Sequence, residues 1–373
     1  MTALTHNAKP WISSLHTYQP GRPIEDVARE LGIEDVASII KLASNENPLG
    51  PSPRALEAIR HHAASIHRYP DGGNHDLREA LAAKHGIRSD ELFLGHGSNE
   101  IIALLGHVYL DETTSIVMSQ YAFIVYPLVA ALYRAQVITV PASDYGHDLE
   151  AMLDAIEPST RLVFVTNPNN PTGTAVSAEA LASFLDRLPD SVIAVLDEAY
   201  IDYLPPENRL AVERLIRDKR SVFVLRTFSK GYGLAGLRIG YAMAPAEGID
   251  LLNRVRQPFN VNSLAQAAAL AAISDEAHLT RTREVNRQER DRIASACEAL
   301  GFACVPSAAN FILVETGQGR LWFEELQKRK VIVRPVSGYG LPDHIRITIG
   351  TPEENDRLLA AMRAVHDQVQ VAR

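Results

Sequence analysis

Three short apolar segments constrain the fold of this chain more than any other feature of its sequence. They are RLVFVTNP (161–168), SVIAVLDEAY (191–200) and SVFVLRTFSK (221–230). Each is apolar on both faces, a pattern typical of parallel strands buried inside a sheet. Helical patterns such as SAEALASFLDRL (177–188) separate several of these runs. The alternation of strands and helices predicts an α/β fold with a doubly wound, mainly parallel sheet.

The pattern changes after residue 255. An alanine-rich helix (263–273) and a long charged helix (276–300) are followed by three runs with strand character, ANFILVE (309–315), VIVRPV (331–336) and HIRITIG (344–350). Helices and alternating strands grouped in this way suggest an α+β domain. We therefore expect a large α/β domain over residues 46–255, and a smaller α+β domain built from residues 1–45 and 256–373.

Composition and charge argue against two classes of function. The chain has 373 residues and a formal net charge of -8, which argues against a nucleic-acid partner. No stretch is long and apolar enough for a membrane span, and the first residues lack the pattern of a secretory signal. The two cysteines, Cys297 and Cys304, lack the spacing of a metal site and are expected to be free thiols. We expect a cytoplasmic protein without a metal site.

Polar side chains follow each of the three buried runs, at the edge of the sheet where ligands bind in open α/β folds. The first run leads into NPNNPTG (167–173), the second into DEAY (197–200) and the third into TFSK (227–230). A fourth segment, GHGSNE (95–100), is a glycine-rich turn that opens a helix, and such a turn can hold a phosphate through free backbone N–H groups. One sheet edge thus offers an amine, a carboxylate, a phenol, amides and hydroxyls.

This set of groups meets the requirements of pyridoxal phosphate. The aldehyde of that cofactor needs a lysine, for which Lys230 is the candidate, and its ring nitrogen needs a carboxylate such as Asp197 to remain protonated. Its phenolic oxygen needs donors, and its phosphate needs amides, hydroxyls and an arginine. Taken singly, each candidate is more simply a solvated lysine, a helix cap or a turn residue. Their occurrence at successive strand ends favours the cofactor.

The segment GYGLAG (231–236) offers a different interpretation, because it spells the G-x-G-x-x-G pattern of a dinucleotide-binding turn. That pattern would make the protein an NAD-dependent dehydrogenase. It also requires an acidic residue about 20 residues further on, whereas this chain has NRVRQ at 253–257. The match comes late in the fold rather than in its first turn between strand and helix. We therefore interpret these glycines as a tight turn around Lys230.

The motifs NPNNPTG, DEAY and TFSKGYGLAGLRIGY, in that order, resemble those of the fold-type I pyridoxal-phosphate aminotransferases. The segments KLASNENPLGPSP (41–53), RYPDGGNHDLREALA (68–82), ANFILVE and HIRITIGTPEEN (344–355) are similar to those of histidinol-phosphate aminotransferases in particular. The resemblance runs from about residue 18 to the C-terminus. It implies the fold of these transferases, with a large doubly wound sheet domain and a smaller α+β domain. It also implies pyridoxal 5'-phosphate as the cofactor.

The resemblance implies roles for individual residues around the cofactor. The catalytic residues would be Lys230, which attaches the cofactor, Asp197, which pairs with its ring nitrogen, and Tyr200. Tyr200 and Asn170 would bond the phenolic oxygen. The residues expected around the phosphate are Ser98 and Asn99 through their backbone amides, Thr227, Ser229 and Arg238. Phe123, in YAFIVY (121–126), fits the residue that stacks on the cofactor ring, with Tyr121 as the competing choice.

The resemblance also implies residues for the substrate and for a second subunit. Arg346 would bind the anionic group of the substrate, while Arg334 and Tyr18 would help to recognise a substrate phosphate. Asn47 is expected near the site. Tyr69 resembles the tyrosine that reaches the cofactor phosphate of the neighbouring subunit, which implies a homodimer with shared active sites.

The implied reaction is reversible amino transfer between L-histidinol phosphate and 2-oxoglutarate, giving imidazole-acetol phosphate and glutamate, in L-histidine biosynthesis. Two alternatives share most of the motifs. One is an aromatic aminotransferase acting on phenylalanine or tyrosine, and the other is a fold-type I decarboxylase acting on a phosphorylated amino acid. The NAD-dependent dehydrogenase is the alternative from a different class.

Overall fold

The computed structural model describes residues 2–15, 17, 23–218 and 220–371. Its α-helices are α1 (Ala3–His6), α2 (Ile24–Leu31), α3 (Pro53–His62), α4 (His75–His85), α5 (Ser98–Tyr109), α6 (Val125–Leu132), α7 (Leu149–Asp154), α8 (Ala178–Arg187), α9 (Val212–Arg217), α10 (Ala246–Val255), α11 (Ser263–Ile273), α12 (Glu276–Ala299), α13 (Gly319–Lys328) and α14 (Pro352–Val371). Its strands are β1 (Ile40–Lys41), β2 (Leu92–Gly95), β3 (Ser115–Ser119), β4 (Gln136–Val140), β5 (Thr160–Thr166), β6 (Ile193–Asp197), β7 (Val222–Thr227), β8 (Gly240–Met243), β9 (Ala303–Val305), β10 (Phe311–Glu315), β11 (Val331–Ile332), β12 (Arg334–Pro335) and β13 (His344–Thr348). Over these ranges, no helix combines the length and the apolar character that crossing a bilayer needs.

The central sheet has seven strands in the order β2-β8-β7-β6-β5-β3-β4. The five neighbours β7, β6, β5, β3 and β4 are parallel, and β8 runs antiparallel to both β2 and β7. Helices α6 to α9 lie in the connections between consecutive parallel strands. The three apolar runs are β5, β6 and β7. The predicted doubly wound, mainly parallel sheet is therefore confirmed.

The packing of β5 explains why these runs lack an apolar–polar alternation. Val163 and Val165 point into one core, which also contains Phe184 of α8. Leu162 and Phe164, which alternate with them, point into a second core together with residues of α5 and α6. Because successive side chains of a strand point to opposite faces, a sheet covered on both faces needs apolar residues at every position.

A second sheet is antiparallel and has four strands in the order β12-β13-β10-β9. Helices α12, α13 and α14 pack on it around a core that includes Ile312, Trp322 and Ile345. The run VIVRPV, expected to be one strand, forms two short ones. Its first part, β11, pairs in parallel with β1, and its second part, β12, pairs with β13. The N-terminal segment thus joins the smaller unit through β1.

The alanine-rich helix α11 packs on the large sheet's side of the molecule. It lies against α3, and its residues Ala265, Ala268, Ala269 and Ala272 belong to the core that contains β5. Small alanine side chains allow two helices to approach closely. The predicted division at residue 255 left α11 in the small domain. We propose instead that the boundary lies within α12, whose first turn still reaches this core through Leu279.

Candidate active site

A cavity of about 220 Å³ lies where the carboxyl ends of β5, β6 and β7 meet the start of α5. Its walls come from both sheets. The residues lining it are Ala43, Ser44, Asn45, Ser98, Asn99, Phe123, Thr166, Asn170, Asp197, Ala199, Tyr200, Thr227, Ser229, Lys230, Arg238, Arg334, Tyr339 and Arg346. The parallel sheet sets this location, because its strand ends present side chains from separate segments at one edge.

Lys230 lies three residues after Thr227, the last residue of β7, and is half-buried in the cavity wall. Its Nζ donates a hydrogen bond to the carbonyl oxygen of Ser44 at 3.0 Å and lies 5.7 Å from the centre of the Tyr200 ring. Burial, followed by the positive charge of Arg346, lowers the pKa of Lys230 to about 7. A large fraction of this amine is therefore neutral near neutral pH, as a nucleophile or general base requires.

Asp197 is the last residue of β6 and is buried at the base of the cavity. Its Oδ2 accepts a hydrogen bond from the Tyr126 hydroxyl at 2.7 Å, and its Oδ1 accepts one from the Ala199 N–H at 3.2 Å. Burial raises the pKa of Asp197 to about 6 in spite of these two donors. Both of these donors, the ones that the described part of the chain provides, are neutral, so the buried carboxylate is short of a cationic partner.

Tyr200 lies three residues after Asp197 and is also buried. Its hydroxyl oxygen accepts a hydrogen bond from Asn45 Nδ2 at 3.0 Å, and burial raises the pKa of Tyr200 to about 12. The phenol therefore stays protonated and can donate to an oxygen in the cavity. Asn45 has a left-handed backbone with φ of 56°, which asparagine tolerates better than most residues.

The start of α5 forms one end of the cavity together with Arg238. Gly97, directly before the helix, has φ of 75°, and a Cβ built on it would lie 2.6 Å from Nη2 of Arg238. A larger residue at position 97 would strain the backbone and displace the guanidinium from this position. Nη1 of Arg238 donates to Ser229 Oγ at 3.4 Å, and Thr227 Oγ1 accepts the N–H of Ser229 at 3.1 Å. A helix N-terminus, an arginine and hydroxyls together make an anion cradle.

Two arginines of the second sheet face the other side of the cavity. Arg334 of β12 and Arg346 of β13 are direct cross-strand partners. Arg346 donates from Nη1 to Asn170 Oδ1 at 2.5 Å and from Nη2 to the carbonyl oxygen of Ala43 at 2.8 Å, with its guanidinium over the Phe311 ring. Both arginines line the cavity, so an anion that enters it can meet two guanidinium groups.

The cavity and the side chains that line it agree with the proteins to which the chain is similar. The profile of the family described as aminotransferase class I and II matches residues 37–362. The chain belongs to the class I and II aminotransferases. Among curated relatives, histidinol-phosphate aminotransferase 2 of Pseudomonas fluorescens is 48% identical over 96% of this chain and 97% of its own length. Histidinol-phosphate aminotransferase of Moorella thermoacetica is 49% identical over 95% of this chain and 92% of its own length.

The fold agrees with solved structures of the family. Histidinol-phosphate aminotransferase of Sinorhizobium meliloti, in complex with pyridoxal-5'-phosphate, superposes with a TM-score of 0.90 and 31% identity, over 97% of this chain and 98% of the other. The protein is a pyridoxal-phosphate-dependent aminotransferase of fold type I. The expectations for family, fold class, type of enzyme and cofactor are thus confirmed.

The side chains of this aminotransferase fit pyridoxal phosphate at three points. The Arg238 cradle, which a Cβ at Gly97 would fill, suits the phosphate. Among the described residues no cation pairs with the buried carboxylate of Asp197, and a protonated ring nitrogen would supply one. Lys230 presents an amine with a lowered pKa to the same cavity. Asp197 ends β6, Lys230 and Arg238 lie between β7 and β8, and Gly97 follows β2.

The dinucleotide interpretation is wrong for this aminotransferase. Residues 231–236 follow β7 and lead through a short turn, Ala235–Leu237, into strand β8 rather than into a helix. A dinucleotide turn needs a helix whose N-terminus receives the pyrophosphate. The glycines instead allow close approach of backbone, since a Cβ at Gly233 would lie 2.3 Å from the carbonyl oxygen of Gly50.

Most of the residues predicted for the site line the cavity. They are Ser98, Asn99, Phe123, Asn170, Asp197, Tyr200, Thr227, Ser229, Lys230, Arg238, Arg334 and Arg346. Phe123, rather than Tyr121, is the aromatic residue of YAFIVY in the lining. Tyr121 stacks on Tyr145 at 6.0 Å, beside the second sheet. The geometry thus favours Phe123 as the residue against the cofactor ring.

Three predicted residues are not in the lining. Asn47 is buried and lies outside the cavity lining. Its Nδ2 donates to the carbonyl oxygen of Gly231 at 2.9 Å, and its Oδ1 accepts the N–H of Leu49 at 3.0 Å. This arrangement supports the loop after Lys230 and gives no support to a substrate contact by Asn47. Tyr69 is 83% exposed and lies elsewhere on the surface. Tyr18 is outside the described residues.

Sequence reasoning missed Asn45, Tyr126 and Tyr339. Asn45 and Tyr339 line the cavity, and Tyr126 contacts Asp197 behind it. For Tyr126 a signal existed, because it lies in YAFIVY, the segment that also contains Phe123. Asn45 and Tyr339 come from segments that only the tertiary fold brings to the strand ends.

Proposed function

We propose that this aminotransferase transfers the amino group of L-histidinol phosphate to 2-oxoglutarate, giving imidazole-acetol phosphate and glutamate, in L-histidine biosynthesis. The observation that carries the proposal is the pair Arg334 and Arg346, directly opposite each other at the cavity. The names of the relatives support the same substrate.

The two substrates place different demands on one site. Histidinol phosphate carries a phosphate and no α-carboxylate, whereas glutamate carries two carboxylates. A planar guanidinium binds either kind of oxyanion through two parallel hydrogen bonds, which a lysine cannot do. Two arginines on neighbouring strands therefore suit a site that must accept each substrate in turn.

Pyridoxal phosphate supplies an aldehyde that takes up the amino group and a ring that withdraws electrons from the substrate Cα. We propose that Lys230 holds the cofactor and, once its amine is released, removes the Cα proton of the bound substrate. Asp197 keeps the ring nitrogen protonated through its negative charge. Tyr200 and Asn170 bind the phenolic oxygen.

We propose that the remaining lining residues hold and orient the cofactor. Phe123 packs against its ring. The residues that bind the phosphate are Ser98, Asn99, Thr227, Ser229 and Arg238. The glycine at position 97 and the N-terminus of α5 support this assignment, because they leave room and positive potential for an anion beside Arg238.

We also propose a homodimer in which Tyr69 reaches the cofactor phosphate of the partner subunit. The Tyr69 ring stacks on Phe259 at 4.7 Å, and the two side chains are 83% and 45% exposed. Exposed aromatic rings in contact with each other are typical of residues that a partner covers. A cytoplasmic location is proposed as well, since Cys297 and Cys304 are free thiols.

The test compares L-histidinol phosphate with L-histidinol, which differs only by the phosphate. With 2-oxoglutarate as acceptor, we expect kcat/KM for L-histidinol to be at least about 10²-fold lower, because paired arginines are left without their anion. Phenylalanine and tyrosine serve as further donors. Equal values for the two histidinol compounds would contradict phosphate recognition by the two arginines. A preference for an aromatic amino acid would replace this proposal by the aromatic alternative. Release of carbon dioxide from a phosphorylated amino acid would indicate the decarboxylase.

A further inference from the structure

Tyr126 lies beneath the cavity and contacts the carboxylate that the ring nitrogen needs. It is the second residue of α6 and is fully buried. Its hydroxyl donates to Asp197 Oδ2 at 2.7 Å and also lies 2.7 Å from Oγ1 of Thr166, the last residue of β5. None of the roles assigned above uses this phenol.

The ring of Tyr126 is held on two sides. It stacks on Phe164 with a centroid distance of 4.3 Å and an interplanar angle of 15°. It meets Phe123 edge-on at 5.8 Å and 84°. Phe164 belongs to the sheet and Phe123 lines the cavity, so the packing that orients the hydroxyl toward Asp197 also supports the aromatic wall of the site.

The direction of the hydrogen bonds follows from the number of protons. An ionised carboxylate only accepts, and a phenol has one proton, so Tyr126 gives its proton to the bond with Asp197. The Thr166 hydroxyl must then donate to the phenol oxygen. The result is a chain of two neutral hydroxyls, from Thr166 through Tyr126 to Asp197, whose two bonds point toward the carboxylate.

Burial raises the pKa of Asp197, and the hydrogen bond from the Tyr126 hydroxyl is the interaction that lowers it most. Tyr126 faces this carboxylate from α6, the Ala199 N–H and Glu198 from its own segment, and Tyr200 from the same strand end. Burial and Glu198 raise the pKa of Asp197, whereas Tyr126 and Ala199 lower it. His147, whose Nε2 lies 2.8 Å from the Thr166 carbonyl oxygen, is buried with a lowered pKa, so it adds no positive charge.

The other charged side chains that line the cavity are Lys230, Arg238, Arg334 and Arg346. Among the described residues, none of these four cations makes a hydrogen bond to Asp197, whereas Tyr126 does. We propose that Tyr126 is a positioning residue that, with Thr166 behind it, fixes the orientation and the ionised state of Asp197 for the cofactor ring nitrogen. This inference depends on the cofactor and not on the substrate, so the failure of the histidinol phosphate proposal leaves it unaffected.

The test uses Tyr126→Phe, which removes one oxygen and keeps the ring on Phe164. Tyr109→Phe is the matched control, because Tyr109 packs in the same core against Phe223, at the far end of β7. Carboxyl carbons of aspartate are labelled with ¹³C in the cofactor-free full chain, and the signal missing from Asp197→Asn assigns Asp197. We expect its titration midpoint to move to higher pH in Tyr126→Phe and to stay in place in Tyr109→Phe.

Titration with pyridoxal phosphate gives the second readout. Loss of a hydrogen bond to a charged group weakens the affinity of Tyr126→Phe for the cofactor by about tenfold at a pH where Asp197 is ionised. The weakening shrinks at lower pH, where the native Asp197 is itself protonated. A merely structural role would give the same loss at every pH.

Two results would overturn the proposal. One is an Asp197 midpoint in Tyr126→Phe equal to that of the native protein. The other is a loss of affinity that does not change with pH. If Tyr126→Phe does not fold, Thr166→Val carries the test, because loss of the hydroxyl behind Tyr126 shifts the Asp197 midpoint in the same direction. An unchanged midpoint in that variant also overturns the chain of hydroxyls.

Discussion

The amine of Lys230 can attack the cofactor aldehyde only when it is neutral. Because the pKa of Lys230 is lowered to about 7, we predict that cofactor uptake by the cofactor-free protein accelerates as the pH rises through about 7 and then levels off. Stopped-flow absorbance with pyridoxal phosphate measures this rate. A rate that keeps rising toward the ordinary lysine pKa of about 10.4 would contradict the effect of burial.

The ionised form of Asp197, which the proposed chemistry needs, destabilises the folded chain because the carboxyl is buried. The pKa of this carboxyl is raised from 3.8 to about 6 in the folded chain. Between these values the folded state binds more protons than the unfolded state, so stability falls as the pH rises and the loss is complete above about 6. For a buried group the cost is on the order of 3 kcal/mol.

Asp197→Asn should therefore be more stable than the native protein, without cofactor, at about pH 8, and no more stable at about pH 4. The same variant should lose turnover by orders of magnitude, because a neutral amide does not keep the ring nitrogen protonated. Urea unfolding at the two pH values and steady-state rates check both effects. Near-normal turnover would remove Asp197 from the chemistry, and equal stability differences at both pH values would contradict its burial as an ion.

At the scale of elements, the close approach of Arg238 to the start of α5 depends on the glycine at position 97. In Gly97→Ala a methyl group meets Arg238 at 2.6 Å, on a backbone with φ of 75°. We predict a weakening of cofactor affinity of about tenfold or more, as expected when one charge-assisted phosphate contact is lost. Fluorescence titration with pyridoxal phosphate measures it.

Gly236→Ala is the control for that substitution. Gly236 is the last glycine of the G-x-G-x-x-G match, and a Cβ on it would meet nothing within 4 Å. We expect its cofactor affinity to equal that of the native protein. An affinity in Gly97→Ala equal to that of the control would contradict the anion cradle.

Element patterns also show what the sequence could and could not predict. The runs that became β5, β6 and β7 were recognisable because burial on both faces demands apolar residues at every position. The helix α11 was recognisable as a helix, but its alanines carry no information on which of two cores they join. VIVRPV divided between β11 and β12 because its two halves pair with partners that are distant in sequence.

At the scale of the whole molecule, Asp197, Lys230 and the turn at 95–100 were predictable as site candidates, since each follows a recognisable strand or opens a helix. The roles of Phe123, Arg334 and Arg346 followed only from the family resemblance. Asn45, from the segment before α3, and Tyr339, from the segment before β13, were not predictable, because the approach of the second sheet to the strand ends brings them to the cavity. The cross-strand position of Arg334 and Arg346 likewise depends on a pairing register that sequence alone does not give.

A shared active site makes a prediction about mixtures of subunits. Tyr69→Ala lacks the residue proposed to reach the partner's phosphate, and Lys230→Ala lacks the cofactor lysine. Mixed dimers contain one site with Lys230 from one chain and Tyr69 from the other, so we expect activity to return when the two variants are unfolded and refolded together. Activity no higher than that of Tyr69→Ala alone would contradict the shared site.

The proposed activity requires this chain to move the amino group of histidinol phosphate onto its own cofactor. The most direct measurement mixes the enzyme loaded with pyridoxal phosphate with L-histidinol phosphate and no keto acid, and follows the absorbance of the bound cofactor and the product. We predict conversion of the cofactor to its amine form together with one equivalent of imidazole-acetol phosphate per site. No spectral change with histidinol phosphate, alongside a full change with phenylalanine or tyrosine, would contradict the claim.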